Sequence, residues 1–180
     1  NKLAEASPTP QALRILDLGT GTGCLILTLL AEIDGATGVG IDASKAALDV
    51  ARINRRALGL DVQAEFVCGD WCAGLSAGTK FDVIVSNPPY ISDDEWPGLA
   101  PEVAKYEPEM ALRGGVDGLA PYRVLGPQVA RHLAPGGFAV FEFGVAQCRD
   151  VVTVLEDSGL KMHKIFPDLT GIDRAVIVGA

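Results

Sequence analysis

Short apolar runs that alternate with longer helix-compatible segments constrain the fold of this 180-residue chain more than any other feature. The apolar runs, which we predict to be strands, lie at 14–18, 37–41, 64–68, 81–86, 138–143, 161–165 and 174–178. The segments that we predict to be helices lie at 24–33, 44–58, 118–133 and 147–158. This alternation is typical of an α/β fold with a parallel sheet and crossover helices. Ligands of such sheets bind beyond the carboxyl ends of the strands, so residues that follow strands are the candidates for chemistry.

Two stretches do not follow the alternating pattern. Residues 1–13 include Ser7-Pro8-Thr9-Pro10, which cannot form a helix interior and predicts a linker, with the tail of an earlier helix before it. Residues 91–117 contain three prolines and several acids and have no clear period. Loops of that length are usually functional or mobile. We expect residues 14–180 to form a single domain, because the chain is long enough for one sizeable core.

The composition argues against several classes of protein. A formal net charge of -8 is the wrong sign for a protein that neutralises a phosphate backbone, so we expect no direct nucleic-acid binding. The four cysteines (Cys24, Cys68, Cys72 and Cys148) form no Cys-x-x-Cys pair, which disfavours a zinc or redox site and favours reduced thiols. No apolar run is long enough to span a bilayer and no signal peptide opens the chain. The sequence therefore predicts a soluble cytoplasmic protein.

The first cluster of interest is the glycine-rich stretch Asp-Leu-Gly-Thr-Gly-Thr-Gly at 17–23, between the first predicted strand and helix. Glycines at 19, 21 and 23 allow a ligand to approach the backbone closely. A dinucleotide fingerprint requires a third glycine three residues after the second, but position 24 is cysteine. The stretch therefore favours a nucleoside ligand without a pyrophosphate, the alternative being a turn that binds nothing.

Acidic and aromatic residues follow the next two predicted strands. Asp42 lies 19 residues beyond Gly23, a spacing at which a carboxylate can accept hydrogen bonds from both ribose hydroxyls. Asp70 could accept a hydrogen bond from an adenine amino group, and the ring of Trp71 could stack on the base or close its pocket. Taken alone, these residues also fit a solvated loop carboxylate and a capping aspartate beside a core tryptophan.

Asn87, Pro88, Pro89 and Tyr90 follow directly on the predicted strand at 81–86. The prolines remove two backbone donors and hold the residues before them in extended conformations. What remains is a rigid edge of acceptors, formed by the Asn87 side-chain oxygen and free backbone carbonyls, with Tyr90 as an aromatic wall. Such an edge suits a substrate NH2 group, although an ordinary Pro-Pro turn is the alternative.

In this order and spacing, the four clusters resemble those of class I methyltransferases that use S-adenosylmethionine to methylate planar amino groups. Within that class, the chain from Arg14 to Gly179 is most similar to the PrmC/HemK family of protein-(glutamine-N5) methyltransferases, which act on peptide chain release factors. The matching motifs are Asp17-Leu18-Gly19-Thr20-Gly21-Thr22-Gly23, Gly69-Asp70-Trp71, Val85-Ser86-Asn87-Pro88-Pro89-Tyr90-Ile91, Tyr106-Glu107-Pro108, Ala111-Leu112, Gly118-Leu119, Pro135-Gly136-Gly137, Glu142-Phe143-Gly144 and the stretch 168–174.

The resemblance implies a fold and a role for each site residue. It implies a Rossmann-like sheet of seven strands, the last antiparallel, with helices on both faces and an inserted hairpin within 91–117. The residues implied to bind S-adenosylmethionine and its product S-adenosylhomocysteine are Gly19, Thr20, Gly21, Thr22, Gly23, Asp42, Asp70, Trp71 and Asn87. The residues implied to hold the glutamine of a Gly-Gly-Gln loop are Asn87, Pro88, Pro89 and Tyr90, of which Asn87 and Pro88 are catalytic. No metal is implied, and we expect neither His132 nor His163 to act as a base.

The chain departs from the family at two points. It lacks the small helical domain and the Pro-Arg-Pro-Glu-Thr-Glu segment with which the family begins, so we expect a catalytic domain preceded by a linker. Phe143 stands where histidine is common. Three alternatives remain: an adenine-amino DNA or RNA methyltransferase, a small-molecule amine methyltransferase, and a silent cofactor-binding subunit.

Overall fold

The computed structural model describes residues 12–180, so most of the predicted linker lies outside the described residues. The strands are β1 (Arg14–Leu18), β2 (Thr37–Asp42), β3 (Ala64–Cys68), β4 (Phe81–Ser86), β5 (Ile91–Ser92), β6 (Arg113–Gly115), β7 (Leu133–Glu142), β8 (Lys161–Pro167) and β9 (Asp173–Gly179). The helices are α1 (Cys24–Glu32), α2 (Lys45–Ala57), α3 (Pro101–Tyr106), α4 (Glu109–Leu112), α5 (Ala120–His132) and α6 (Cys148–Asp157). Within residues 12–180, none of the helices has the length and apolar character needed to cross a membrane.

Seven strands form one sheet in the order β3-β2-β1-β4-β7-β9-β8. The pairs from β3 to β7 are parallel, whereas β9 runs antiparallel to both of its neighbours. The chain first builds outward from β1 through β2 to β3 and then continues on the other side of β1 with β4. The carboxyl ends of β1 and β4 therefore meet at the point where strand order reverses, which is where ligands of such sheets bind.

Side chains of the central strands point alternately to two apolar layers. Ile15 of β1 belongs to a cluster that includes buried residues of α1 and α2. Leu16 and Leu18 belong to a second cluster, which includes buried residues of α5 and α6. The predicted α/β architecture, with helices on both faces of a mostly parallel sheet, is thereby confirmed.

Phe143, the first residue after β7, is fully buried in the second cluster. Its N–H donates to the carbonyl oxygen of Arg174 at 3.0 Å. The position at which histidine is common in the resembled family is thus part of the apolar core in this chain.

The strand β7 begins five residues earlier than its predicted start at 138, at Leu133. The Pro135-Gly136-Gly137 stretch indicates a chain break in the sequence. In the structure Leu133 already pairs with Phe81, and a register shift before the pairing of Phe138 with Val83 takes up this stretch. An irregularity inside a strand cannot be distinguished from a loop by composition alone.

The prediction of an inserted hairpin within 91–117 is wrong. The two short strands β5 and β6 pair in parallel, with Ile91 opposite Arg113, whereas the strands of a hairpin are antiparallel. Parallel strands need a crossover connection, and here α3, α4 and a 3-10 turn at Trp96–Gly98 supply it. The sequence of this segment shows no hydrophobic period because its helices are only four to six residues long.

Candidate active site

The glycine loop that joins β1 to α1 has one open side. Gly19 and Gly21 line a cavity at the carboxyl edge of the sheet. No atom lies within 4 Å of the place that a Cβ atom would take at Gly21, whose φ is +56°. The N–H groups of Gly19 and Thr20 donate to the Ile41 carbonyl at 2.9 and 3.0 Å, which fixes the loop on β2. A ligand can therefore approach the backbone of this loop without displacing a side chain.

Gly23, in contrast, faces the core. A Cβ atom at this position would lie 3.0 Å from Phe66, 3.1 Å from Leu27 and 3.2 Å from Ala51. Thr22 also lies outside the cavity lining, and its carbonyl accepts from the Asn54 side chain at 3.0 Å. The predicted contacts of Thr22 and Gly23 with a cofactor remain predictions, and the observed role of Gly23 is to let α1 pack closely.

Thr20 is directed toward the sheet by a buried carboxyl group. Its Oγ1 donates to Oδ2 of Asp17 at 2.6 Å, and both residues are buried. Burial raises the pKa of Asp17 from 3.8 to about 6, although the hydrogen bond from Thr20 opposes the shift. Thr20 is not among the cavity-lining residues. Its side chain instead stabilises the loop through the hydrogen bond to Asp17.

Asp17→Asn is expected to stabilise the protein relative to wild type as the pH rises. Because the pKa of Asp17 is higher in the folded than in the unfolded chain, wild type loses stability as the pH rises through about 6. The difference in unfolding free energy, variant minus wild type, should grow by about 1 to 1.5 kcal/mol between about pH 5 and pH 8. Urea unfolding at a series of pH values measures this difference, and parallel profiles would contradict the assignment.

Asp42 ends β2 with its carboxylate fixed by two backbone donors. Oδ2 accepts from the N–H of Gly21 and Oδ1 from the N–H of Ser44, each at 2.7 Å. Ser44 also caps α2 by accepting from the N–H of Ala47 at 3.2 Å. Each Asp42 oxygen retains further lone pairs, and the residue lines the cavity. Both carboxylate oxygens are thus held in place at the cavity and keep lone pairs for further hydrogen bonds.

Asp70 and Trp71 form another wall of the same cavity. Asp70 is exposed, and Trp71 is half-buried. A Cβ atom at Gly19 would lie 3.4 Å from Cζ3 of Trp71, so the indole ring lies against the glycine loop. Trp71 has a φ of +48°, a conformation that costs a non-glycine residue about 1 kcal/mol or more. Such backbone strain is concentrated at functional sites.

Asn87 and Pro89, just beyond the end of β4, line the cavity, whereas Pro88 is buried and lies outside the lining. Among the described residues, none donates a hydrogen bond to the carbonyl oxygens of Asn87, Pro88 or Pro89 or to the Asn87 side chain. Ser86 anchors the strand end because its hydroxyl donates to the Leu18 carbonyl at 2.7 Å. These oxygens are therefore unpaired within the described residues, at a strand end held by Ser86, and their contact with a substrate stays a prediction.

Tyr90 lies outside the cavity lining and is held at both ends. Its carbonyl oxygen accepts from Nε2 of Gln147 at 2.8 Å. Its hydroxyl accepts from Nη2 of Arg174 at 3.1 Å, and the guanidinium carbon of that arginine lies 5.5 Å from the ring centroid. Tyr90 is thus fixed beside the acceptor edge.

The cavity has a volume of about 370 Å³, within the range of small-molecule sites. Its lining consists of Gly19, Gly21, Ile41, Asp42, Ala43, Ser44, Ala47, Gly69, Asp70, Trp71, Asn87, Pro89, Pro108, Met110 and Ala111. The structure therefore brings together seven of the twelve residues predicted for the site. The five that it leaves outside the lining are Thr20, Thr22, Gly23, Pro88 and Tyr90.

Pro108, Met110 and Ala111 line the cavity and were not predicted as site residues. They belong to α4 and its first flanking residue, in the segment between β5 and β6. Arg113 secures this segment through ion pairs with Glu109 and with Asp93, the latter at 2.7 Å. The Glu-Pro and Ala-Leu motifs at 107–108 and 111–112 were the available signal, although nothing in their chemistry indicates a pocket wall.

Histidines and cysteines lie apart from the cavity lining. Nδ1 of His132 is 2.9 Å from the Thr79 carbonyl oxygen in a partly buried contact, and His163 belongs to β8. The four cysteines are unpaired. Residues 12–180 contain no group of three or more His, Cys, Asp or Glu side chains placed to hold a metal ion.

Comparison with known proteins identifies the class to which this fold and cavity belong. The model of the methyltransferase small domain family matches residues 1–103, more than half of the chain. The chain therefore belongs to the methyltransferase small domain family. A methyltransferase from Pyrococcus furiosus aligns with a TM-score of 0.67 at 19% identity, covering 93% of this chain and 74% of that one. At that identity the likeness shows the fold, which is that of class I methyltransferases.

Two curated relatives are similar over most of this chain. The release factor glutamine methyltransferase of Rhodospirillum rubrum is 51% identical over 164 residues, covering 91% of this chain and 50% of that protein. Its counterpart in Cereibacter sphaeroides is 46% identical over 174 residues, covering 97% of this chain and 62% of that protein. The chain thus spans about half to three fifths of the length of these relatives.

Proposed function

We propose that this chain transfers a methyl group from S-adenosylmethionine to the side-chain amide nitrogen of the glutamine in the Gly-Gly-Gln motif of peptide chain release factors. One observation supports this function above the others. Asn87 and Pro89 of the acceptor edge line the same cavity as the fixed carboxylate of Asp42. The names of the two relatives, at 46% and 51% identity, support glutamine as the acceptor.

The residues of the cavity fit S-adenosylmethionine. The Asp42 carboxylate would accept hydrogen bonds from the ribose hydroxyls, and the backbone at Gly19 and Gly21 would leave room for the methionine part. Trp71 would border the adenine, and the exposed Asp70 would accept a hydrogen bond from its amino group. When bound, the cofactor supplies a methyl group on a sulfonium, which is a good leaving group.

The acceptor edge prepares the incoming amide nitrogen. An amide nitrogen is a poor nucleophile because its lone pair is delocalised into the carbonyl group. Hydrogen bonds from the NH2 group to the Asn87 side-chain oxygen and the Pro88 carbonyl orient the nitrogen and stabilise the positive charge that develops on it. The nitrogen gains the methyl group and loses one proton to solvent. Positioning of this kind supplies roughly 7 to 11 kcal/mol in well-oriented systems.

An adenine-amino DNA or RNA methyltransferase shares the acceptor tetrapeptide, but two observations favour glutamine. The net charge of -8 opposes binding to a phosphate backbone, and the relatives are named for release factors. The intact glycine loop and Asn87 argue against a silent cofactor-binding subunit, and no observation favours a small amine. As an enzyme of translation termination, the protein works in the cytoplasm, with residues 14–180 as its catalytic domain.

Asp42→Ala is expected to raise the Kd for S-adenosylmethionine about ten- to hundredfold, because charge-assisted hydrogen bonds to the ribose are lost. Isothermal titration calorimetry measures the effect. Asp49→Ala is the matched control, since Asp49 lies on α2 and pairs with Arg52 at 2.8 Å outside the cavity. Equal affinities for wild type and both variants would contradict the ribose assignment.

The substrate assignment is tested by mass spectrometry on a synthetic peptide that contains Gly-Gly-Gln. With wild type and S-adenosylmethionine, we expect one added methyl group on the glutamine side chain, and none when that glutamine is replaced by glutamate. A short peptide at high concentration reports on the catalytic site without requiring the docking of a whole release factor. Methylation at any other residue of the peptide would contradict the proposal.

A further inference from the structure

The side chain of Gln147 bridges two loops at the carboxyl edge of the sheet. Its Oε1 accepts from the N–H of Gly144, which follows β7, at 2.9 Å. Its Nε2 donates to the carbonyl oxygen of Tyr90 at 2.8 Å. Gln147 is also the residue before α6, and its own carbonyl accepts from the N–H of Val151 at 2.9 Å. The amide is therefore held on a helix end while it joins the acceptor tetrapeptide to the loop after β7.

Two glycines leave the space that this amide occupies. A Cβ atom at Gly118 would clash with the Tyr90 carbonyl oxygen and with Nε2 of Gln147. A Cβ atom at Gly144 would lie 2.7 Å from Oε1 of Gln147 and 3.0 Å from Cδ2 of Tyr90. Three separate segments of the chain, at Tyr90, Gly118 and Gly144, thus meet at this one amide, and the two glycines approach it more closely than a larger residue would allow.

The bridge acts on the backbone that follows Pro89. The acceptors of Asn87 and Pro88 lie two to three residues before the Tyr90 carbonyl, and the prolines leave this stretch little freedom to adjust. At the far end of the tyrosine side chain, Nη2 of Arg174 donates to the Tyr90 hydroxyl. The same nitrogen lies 3.7 Å from Oε1 of Glu142. Fixing the Tyr90 carbonyl therefore fixes where the acceptor edge points.

We propose that Gln147 is a positioning residue for methyl transfer, which sets the acceptor edge of 87–90 through the Tyr90 carbonyl. The inference rests on the proposed function, because the edge is taken to hold the amide of the substrate glutamine. Gln147 lies outside the cavity lining, so its effect should fall on the transfer step and leave cofactor affinity unchanged.

Gln147→Glu tests this role. The variant keeps an oxygen that accepts from Gly144 but replaces the donor to Tyr90 with a carboxylate oxygen, which repels the carbonyl. We expect the single-turnover rate constant to fall about ten- to hundredfold at about pH 8, because small misplacements of reacting groups have effects of that size. The reaction uses a Gly-Gly-Gln peptide and saturating S-adenosylmethionine. The Kd for the cofactor should stay within about twofold of wild type, since no cavity-lining group changes.

Protonation provides the rescue. A protonated glutamic acid can donate to Tyr90 as the amide does, and the contact with the Tyr90 carbonyl oxygen disfavours the charged form. The rate of the variant relative to wild type should therefore rise as the pH falls toward about 6. Glu142, Asp117, Asp173, Cys148 and Arg174 are the same in both proteins, so the ratio isolates position 147. Gln147→Met, which cannot donate at any pH, should be slow throughout.

Gln128→Glu is the matched amide-to-carboxylate control. Among residues 12–180, the Gln128 side chain accepts a hydrogen bond from the N–H of Cys72 at 2.9 Å and donates none, and glutamate preserves this contact. Its rate should match wild type at each pH. Rates of Gln147→Glu and Gln147→Met equal to wild type would overturn the inference while leaving the proposed function intact. A parallel loss of cofactor affinity would also overturn it. Failure of wild type to methylate the peptide would contradict the proposed function itself.

Discussion

Asn87→Ala is expected to lower the rate constant of methyl transfer by about a hundred- to thousandfold, the effect typical of removing one preorganised polar group from a reacting centre. Asn87 lines the cavity and is exposed, and its side-chain oxygen accepts no hydrogen bond from the described residues, so this oxygen is available to the substrate NH2 group. Its loss leaves the amide nitrogen unoriented. The Asp42 contacts with the ribose stay in place, so the Kd for S-adenosylmethionine should change far less.

The Asn87→Asp variant shows whether the effect of Asn87→Ala comes from losing the acceptor oxygen or from losing the shape of the side chain. Aspartate keeps an oxygen at the same position and is expected to retain more activity than alanine, because a carboxylate also accepts from an NH2 group. Asn87 is exposed, so neither variant should change the free energy of unfolding by more than about 0.5 kcal/mol. Single-turnover rates and calorimetric affinities measured on the same preparations give the comparison. Equal losses of transfer rate and cofactor affinity would count against the assigned role.

Gly23→Ala is expected to lower the free energy of unfolding by about 2 to 4 kcal/mol. Alanine at a φ of +81° costs about 1 kcal/mol, and forcing a methyl group into a packed core costs about 1 to 3 kcal/mol more. The atoms that it would meet belong to Phe66, Leu27 and Ala51, on β3, α1 and α2. The free energy of unfolding of an ordinary domain is roughly 5 to 15 kcal/mol, so this loss would be a large part of it.

Gly59→Ala is the control for backbone conformation alone. Gly59 has a φ of +70°, and no atom lies within 4 Å of the place that a Cβ atom would take. We expect this variant to lose about 1 kcal/mol in urea unfolding. If Gly23→Ala lost no more than Gly59→Ala, the contact of Gly23 with the core would have no energetic importance.

The sheet could be predicted because each of its strands leaves a local signal. Its seven strands are short apolar runs, and each of the four chemical clusters follows a strand end, so their meeting at one edge follows from parallel topology. The two sides of the glycine loop could not be predicted in this way. Gly21 and Gly23 are alike in sequence, yet one is open to the cavity and the other packs on Phe66.

Contacts between distant segments also could not be predicted from the sequence. Gln147 and Tyr90 are 57 residues apart, and their hydrogen bond depends on how β4 and β7 pair in the sheet. The wall formed by Pro108, Met110 and Ala111 arises from a segment without a hydrophobic period. In both cases tertiary packing determines where the side chains lie, and neither composition nor local spacing predicts it.

The choice between a glutamine and an adenine amino group is the central claim, and one competition experiment decides it. The chain is incubated with S-adenosylmethionine labelled in its methyl group, together with a Gly-Gly-Gln peptide, adenine-containing DNA and adenine-containing RNA. The label should appear on the peptide and not on either nucleic acid, and it should disappear when glutamate replaces the glutamine. Label on DNA or RNA, with the peptide unlabelled, would contradict the proposed function.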